Sequence, residues 1–221
     1  MATSRAQQVG IWVIAAVLTV GTIGSFVAII LSTNNQKTDQ ARLTELTSEY
    51  QTQYEAYQAK VDAQAAELST KYFAEFNQYA TRPAAFDAAS ATELKKEDLK
   101  VGDGAALTSA STFTAYYIGW NPSGKVFDGS IDGTKLKAPF TASPGSVIAG
   151  WTEGVDGMKV GGVREITIPS AKAYGETGSG EDIPANTPLK FVLMIIPTPQ
   201  AITQPQPSEE LIRLYSQSQA Q

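Results

Sequence analysis

Residues Val147 to Phe191 read VIAGWTEGVDGMKVGGVREITIPSAKAYGETGSGEDIPANTPLKF, and their reading decides the fold. Val147, Ile148, Trp151, Val155 and Met158 recur at helical spacing, which predicts a helix with one apolar face. Gly150, Gly154 and Gly157 stand among them, and glycine is a poor helix former. Such a helix is short and held by packing rather than by propensity. Val163–Ile168 then reads as a strand, followed by a loop rich in Gly, Ser, Glu and Pro. Leu189–Ile196 closes the stretch as a mostly apolar strand. The whole predicts a short helix laid against a sheet, with Trp151, Tyr174, Ile183 and Phe191 available to line a cavity.

Upstream, Thr112–Ile118 reads as a strand and Asn121-Pro-Ser-Gly124 as a turn. Gly119–Lys125 fills the first seven positions of a phosphate-binding loop, but Val126 stands where the Ser/Thr for Mg²⁺ belongs and no helix follows. The match is accidental. Glu181 and Asp182 are adjacent acids on a loop, and such a pair is solvated rather than a cation site. Arg82–Ser90, with its proline, reads as a hinge.

From Thr38 to Arg82 the chain predicts one long helix, without Gly or Pro before Pro83. Its apolar residues recur at eleven: Leu43, Tyr54, Ala65 and Phe76; Leu46, Tyr57 and Leu68; Tyr50, Val61 and Tyr72. Such a repeat averages about 3.67 residues per turn, so the stripe stays nearly straight. It suits a spacer, a pairing face for a second copy, a face folded back on the following domain, or a surface that grips substrate. Before it, Val9–Leu31 runs 23 residues without a charge. That reaches the roughly 20 residues a bilayer-spanning helix needs and exceeds the apolar core of a cleaved signal peptide. The expectation is a membrane anchor after a short tail, residues 1–8, with the C-terminal domain on the extracytoplasmic side. After Ile196, PTPQAITQPQP reads as an extended tail. Ser208–Tyr215 adds one or two helical turns, with Ser208 as N-cap and Glu209 and Glu210 favoured at the start.

Composition narrows the chemistry. The 221 residues carry a formal net charge of −5 and no long basic block, so a nucleic-acid partner is not expected. There is no cysteine and no histidine. Any catalysis has to manage without thiolate or imidazole, and no metal-ligand constellation stands out.

Three groups of residues, VIAGW, GMKVGGVREITIP and AYGETGSGEDIPANTPLKF, with LKKEDLKVGDGA and AYYIGWNPSGKVFDGS upstream, resemble FKBP-type peptidyl-prolyl cis-trans isomerases. The likeness runs from Glu93 to Pro197 in the family's order. It implies an α+β fold, an antiparallel sheet wrapped on a short helix, here preceded by a transmembrane helix and a long helical stalk. The resulting organisation is tail 1–8, span 9–31, stalk 38–82, isomerase domain 92–198 and tail 199–221. Position by position, the resemblance makes Trp151 the floor for a proline ring and Tyr117, Phe127, Phe140, Val147, Ile148 and Phe191 its walls. The Ile148 N–H and the Tyr174 hydroxyl would donate to substrate carbonyls, Asp128 would sit at the rim, and Ile183 on a flap. No cofactor is implied.

Some positions depart from the family's pattern. The segment Asp128–Pro139 is about three residues longer than in compact members and has no arginine to pair with the rim acid; Lys135 or Lys137 would substitute. Ala142 stands where a second pocket aromatic is common, and Ala185 where proline is. The function expected is X-Pro isomerisation on proline-containing polypeptides, assisting the folding of exported or membrane proteins. The rivals are a membrane-tethered module that binds proline segments and a chaperone whose stalk forms a homodimer.

Overall fold

The computed structural model describes residues 34–219. They fall into two compact units, residues 34–62 with 201–219, and Ala63–Gln200. The long helix α1 (Asn34–Asn77) contributes to both. The uncharged run Val9–Leu31 lies outside the described residues. Among those described, no helix is long and apolar enough to cross a membrane. Charged side chains from Asp39 to Glu75 interrupt α1 along its length, and a span needs about 20 mostly apolar residues. The expectation of a single-pass membrane protein with an extracytoplasmic C-terminal domain is corrected on this finding and goes no further.

The second unit is built on an antiparallel sheet. Its strands are β1 (Lys95–Lys100), β2 (Phe113–Trp120), β3 (Val126–Gly129), β6 (Phe140–Ala142), β7 (Val163–Ile168) and β8 (Leu189–Ile196), and the path runs β1-β7-β8-β2-β3. One edge is shared by two short strands. β3 pairs with the end of β2 (Ile118 opposite Gly129) and β6 with its beginning (Ala115 opposite Phe140). Between them the chain leaves the sheet as a small hairpin, β4 (Ile131–Asp132) and β5 (Lys135–Leu136). The other edge, β1, reads KKEDLK. Lysines and acids there discourage pairing with another chain.

Both faces of the sheet are buried, which explains why β8 reads as a nearly continuous apolar run. Successive side chains alternate sides. Leu189, Phe191, Leu193 and Ile195 join the cluster around Trp151, while Val192, Met194 and Ile196 join a second cluster with Tyr116, Trp120 and Phe76. The first face is covered by the short helix α2 (Ala149–Gly154). The second is covered by the last turns of α1, through Leu68, Tyr72, Phe73 and Phe76. Phe76 and Tyr72 each bring a ring centroid to 6.1 Å from that of Tyr116. This part of the stripe folds back on the domain. Ser69, also in α1, accepts a hydrogen bond from Leu136 N at 2.7 Å and so fixes the β4–β5 hairpin.

Two details hold α2 in place. Its glycines let it sit very close to the sheet: a Cβ added at Gly150 would lie 2.3 Å from Ile168 Cγ2. Arg164, on β7 and 6% exposed, donates to the carbonyls of Gly154 and Asp156 at 2.8 and 3.1 Å. A cation there suits the negative end of a helix. Its other nitrogens form a two-pronged pair with Asp98, which is charge-assisted and directional.

In the first unit, α3 (Glu209–Gln219) is longer than the one or two turns expected. Ser208 caps it, its hydroxyl accepting from Leu211 N at 3.1 Å. Leu211 and Leu214 bury against Leu46, with Leu43 and Tyr50 alongside. Arg42 pairs with Glu210 at 3.0 Å.

Candidate active site

Trp151 lies in the first turn of α2 and is 5% exposed. Three rings stand edge-on to its indole: Tyr117 at 5.2 Å, Phe191 at 5.3 Å and Phe140 at 5.9 Å between centroids, with interplanar angles of 74°, 86° and 86°. Edge-to-face contact suits the ring quadrupole and fixes each orientation. Phe127 stands edge-on to Phe191 in turn, at 5.6 Å. Four strands supply these walls: β2 brings Tyr117, β3 Phe127, β6 Phe140 and β8 Phe191. The split edge described above is what places Phe127 and Phe140 on either side. Gly119 leaves them room, since a Cβ there would meet Phe191 at 2.5 Å and Phe127 at 2.8 Å.

Burial grades outward. Trp151, Phe191 and Ile183 are 4–5% exposed. Tyr117, Phe127, Phe140, Val147, Ile148 and Tyr174 are only half-buried and pack against the same cluster. The group is therefore an apolar, ring-lined surface with a dry floor and a rim in contact with water. Val147 and Ile148 come from the segment leading into α2. The Ile148 carbonyl accepts from Trp151 N at 3.0 Å, but among the described residues no acceptor meets the Ile148 N–H.

Asp128 is exposed at the rim. The Tyr117 hydroxyl donates to its Oδ2 at 2.5 Å, and Gly129 N donates to its Oδ1 at 2.8 Å. Neither lysine takes the place of the missing arginine: Lys135 pairs with Asp132 at 3.7 Å, and Asp128 is held by a tyrosine instead. Burial pushes the Tyr117 phenol well above its ordinary pKa, and the bond to Asp128 and its charge push further. Tyr174 is also raised, first by burial and then by the Asp128 charge. Its hydroxyl has no hydrogen-bond partner among the described residues. Ile183 lies in the loop after Tyr174, its carbonyl accepting from Ser179 N at 2.7 Å.

All the residues expected at the site except Asp128 belong to one apolar cluster, and Asp128 is bonded to a member of it. Phe113 was not anticipated. It lies 6.5 Å from the indole at a 31° tilt and is 3% exposed. Its signal was present, since Phe113, Ala115 and Tyr117 share one face of a strand. A cleft of about 340 Å³ opens elsewhere, among Tyr72, Lys100, Asp103, Gly161 and Pro197, and none of the rings around Trp151 lines it.

The sequence model of the FKBP-type peptidyl-prolyl cis-trans isomerase family matches residues 104–196. An FK506-binding protein of Neisseria meningitidis serogroup A is 40% identical over 100 residues, which is 45% of this chain and 91% of that protein. FK506-binding protein 4 of Rhizopus delemar is 41% identical over 100 residues, but the chain spans only 26% of its length. The crystal structure of AtFKBP13 aligns with 33% identity and a TM-score of 0.42, over 48% of this chain and 93% of that one. The chain belongs to the FKBP-type peptidyl-prolyl cis-trans isomerase family, and its domain is an isomerase domain.

Proposed function

We propose that the ring-lined surface over Trp151 binds an X-Pro segment of a polypeptide and catalyses rotation about the prolyl bond. The supporting observation is an indole enclosed edge-on by Tyr117, Phe140 and Phe191, beside two donors without a partner among the described residues, Ile148 N–H and the Tyr174 hydroxyl.

Resonance gives the amide a barrier of about 18–20 kcal/mol, and uncatalysed X-Pro rotation takes tens to hundreds of seconds. At the perpendicular geometry that resonance is lost, so the carbonyl is less polar and needs less solvation. A surface that strips water from the amide favours the twisted form over the planar one, which is transition-state binding without bond making. The proline ring rests on Trp151. Ile148 N–H and the Tyr174 hydroxyl hold carbonyls of the segment. With its pKa raised, Tyr174 keeps its proton at neutral pH and remains a donor. No proton moves, which fits a chain lacking histidine and cysteine.

The test is a protease-coupled isomerisation assay of the full-length chain on short X-Pro peptides. Catalysis above buffer, lowered at least tenfold in Phe191→Ala with the fold intact, supports the reading. A rate equal to buffer removes it. Tight peptide binding without turnover would favour a proline-segment binding module. FK506, which relatives bear in their names, serves as the competitor.

A further inference from the structure

Ile183 packs into the pocket cluster from a loop that carries three glycines, and the bonds nearest the loop ends, Gly175 N to Ser170 O at 2.9 Å and Asn186 N to Gly175 O at 2.7 Å, do not fix the peptide before Ile183. Gly175, Gly178 and Gly180 all adopt positive φ, and Gly178 N donates to Tyr174 O at a long 3.2 Å. Glycine at such positions leaves the unrestrained chain many alternatives. Ile183 is nonetheless 5% exposed and packed in the cluster with Trp151.

The peptide planes on both sides of Ile183 are tied. The plane after it is held by Ser179 N, which donates to Ile183 O at 2.7 Å. The plane before it is held from outside the loop, where Asn121 Nδ2 donates to Asp182 O at 2.9 Å in a partly buried bond. Asn121 follows directly on β2. Its Oδ1 accepts from Ser123 N at 3.1 Å, Ser123 Oγ at 2.7 Å and Lys125 N at 3.2 Å. Three donors on one side of the amide leave the other side, the nitrogen, for the flap carbonyl. The turn is braced in its own right, with Phe86 N donating to Pro122 O at 3.0 Å and Gly124 N to Asn121 O at 2.9 Å. A second link joins the same two segments, an ion pair of 2.5 Å between Lys125 and Asp182. It is solvent-exposed, and such pairs hold weakly.

We propose that Asn121 is a positioning residue for the isomerase: its side-chain nitrogen fixes the Asp182–Ile183 peptide and thereby sets how closely Ile183 covers the residue preceding the substrate proline. The inference rests on the pocket reading given above. The side-chain hydrogen bonds of Asn121 go to Asp182 O, Ser123 and Lys125, and among the described residues none goes to a residue of the ring cluster. Asn121 acts through Ile183, so its effect falls on which X-Pro segments are accepted as well as on rate.

Asn121→Asp isolates the bond. The carboxylate keeps an acceptor for Ser123 N and Lys125 N, so the turn stands, while the donor to Asp182 O is gone. In full-length protein, amide hydrogen exchange should rise at Ser179, whose N–H bonds Ile183 O, and remain unchanged at Ser123 and Lys125. On a panel of peptides differing only in the residue before proline, kcat/KM should fall about tenfold for the best substrate. It should fall much less for the worst, flattening the preference. Lys125→Ala, which breaks only the exposed ion pair, should change both readouts less than Asn121→Asp. Unchanged Ser179 exchange together with an unchanged preference would overturn the inference, as would a loss of protection spread equally over the turn amides. If the unaltered protein shows no catalysis, the pocket reading fails, and the exchange result still decides whether Asn121 holds the flap.

Discussion

The Tyr117 hydroxyl donates to Asp128 Oδ2 at 2.5 Å, so one wall of the pocket and the acid at its rim form a single bonded pair. The tyrosine is anchored by its ring against Trp151, and the carboxylate takes its direction from that anchor. Tyr117→Phe keeps the edge-on ring and removes the donor. A peptide assay at pH 7 should show kcat/KM lowered by about threefold to tenfold, since bonds to charged groups contribute about 1.5–3 kcal/mol when buried and less at an exposed rim. Thermal unfolding should barely shift. Equal loss of activity and stability would mean that the pair is only structural.

Alkaline pH should separate fold from catalysis. Burial, with a smaller push from Tyr72, raises the Tyr116 phenol to about 12, while in the unfolded chain it titrates near 10. Below about pH 10 both states hold the proton and stability is unaffected. Between about 10 and 12 only the unfolded chain loses it, so stability should fall by about 1.4 kcal/mol per pH unit from this group. Tyr117 and Tyr174 are raised as well, so they keep their protons through pH 7–9 and should leave kcat/KM flat there. Urea denaturation and rate profiles across pH 7–11 check both statements.

Tyr116→Phe should stabilise the protein at pH 7. The hydroxyl is fully buried and has no hydrogen-bond partner among the described residues, so its removal lifts a desolvation cost of about 1–3 kcal/mol. It should also shrink the decline above pH 10. A destabilised variant in urea titration would show that the hydroxyl is satisfied after all.

Gly150→Ala should harm stability and rate together. The new methyl would stand 2.3 Å from Ile168 Cγ2, so α2 has to lift from the sheet, carrying Trp151 with it. Overpacking of this kind costs about 1–3 kcal/mol. The displaced indole should lower kcat/KM in the fraction that folds, read by denaturation and peptide assay on the same sample.

Phe76→Ala should cost about 3–5 kcal/mol, as for a fully buried aromatic. It lies on the face of the sheet opposite Trp151, so kcat/KM of the folded protein should be nearly unchanged.

Much of this arrangement is legible from residue order. Period-two strands and the apolar positions of VIAGW predict a helix on a sheet, and the ring residues named from the family resemblance do meet around Trp151. Three features were hidden for physical reasons. The stripe of α1 has the same period whether its partner is a second helix or a sheet, so docking through Phe76 cannot be told from spacing. Gly150 and Gly154 lower helix propensity, and propensity says nothing of how near the next layer stands. The family pattern points to a downstream cation as the partner of Asp128, whereas a hydroxyl eleven residues upstream reaches it across the β2–β3 pairing. The membrane expectation came from Val9–Leu31 alone, and α1, the long helix the structure describes, is too polar to cross a bilayer.

The layer formed by Leu68, Tyr72 and Phe76 reaches well upstream of the segment shared with relatives. A gene trimmed to that segment would yield a sheet with one oily side bare, and Trp120, Ile118 and Met194 would meet water directly. Such a product should associate more readily than the longer chain. The smallest piece worth expressing starts no later than Ala63.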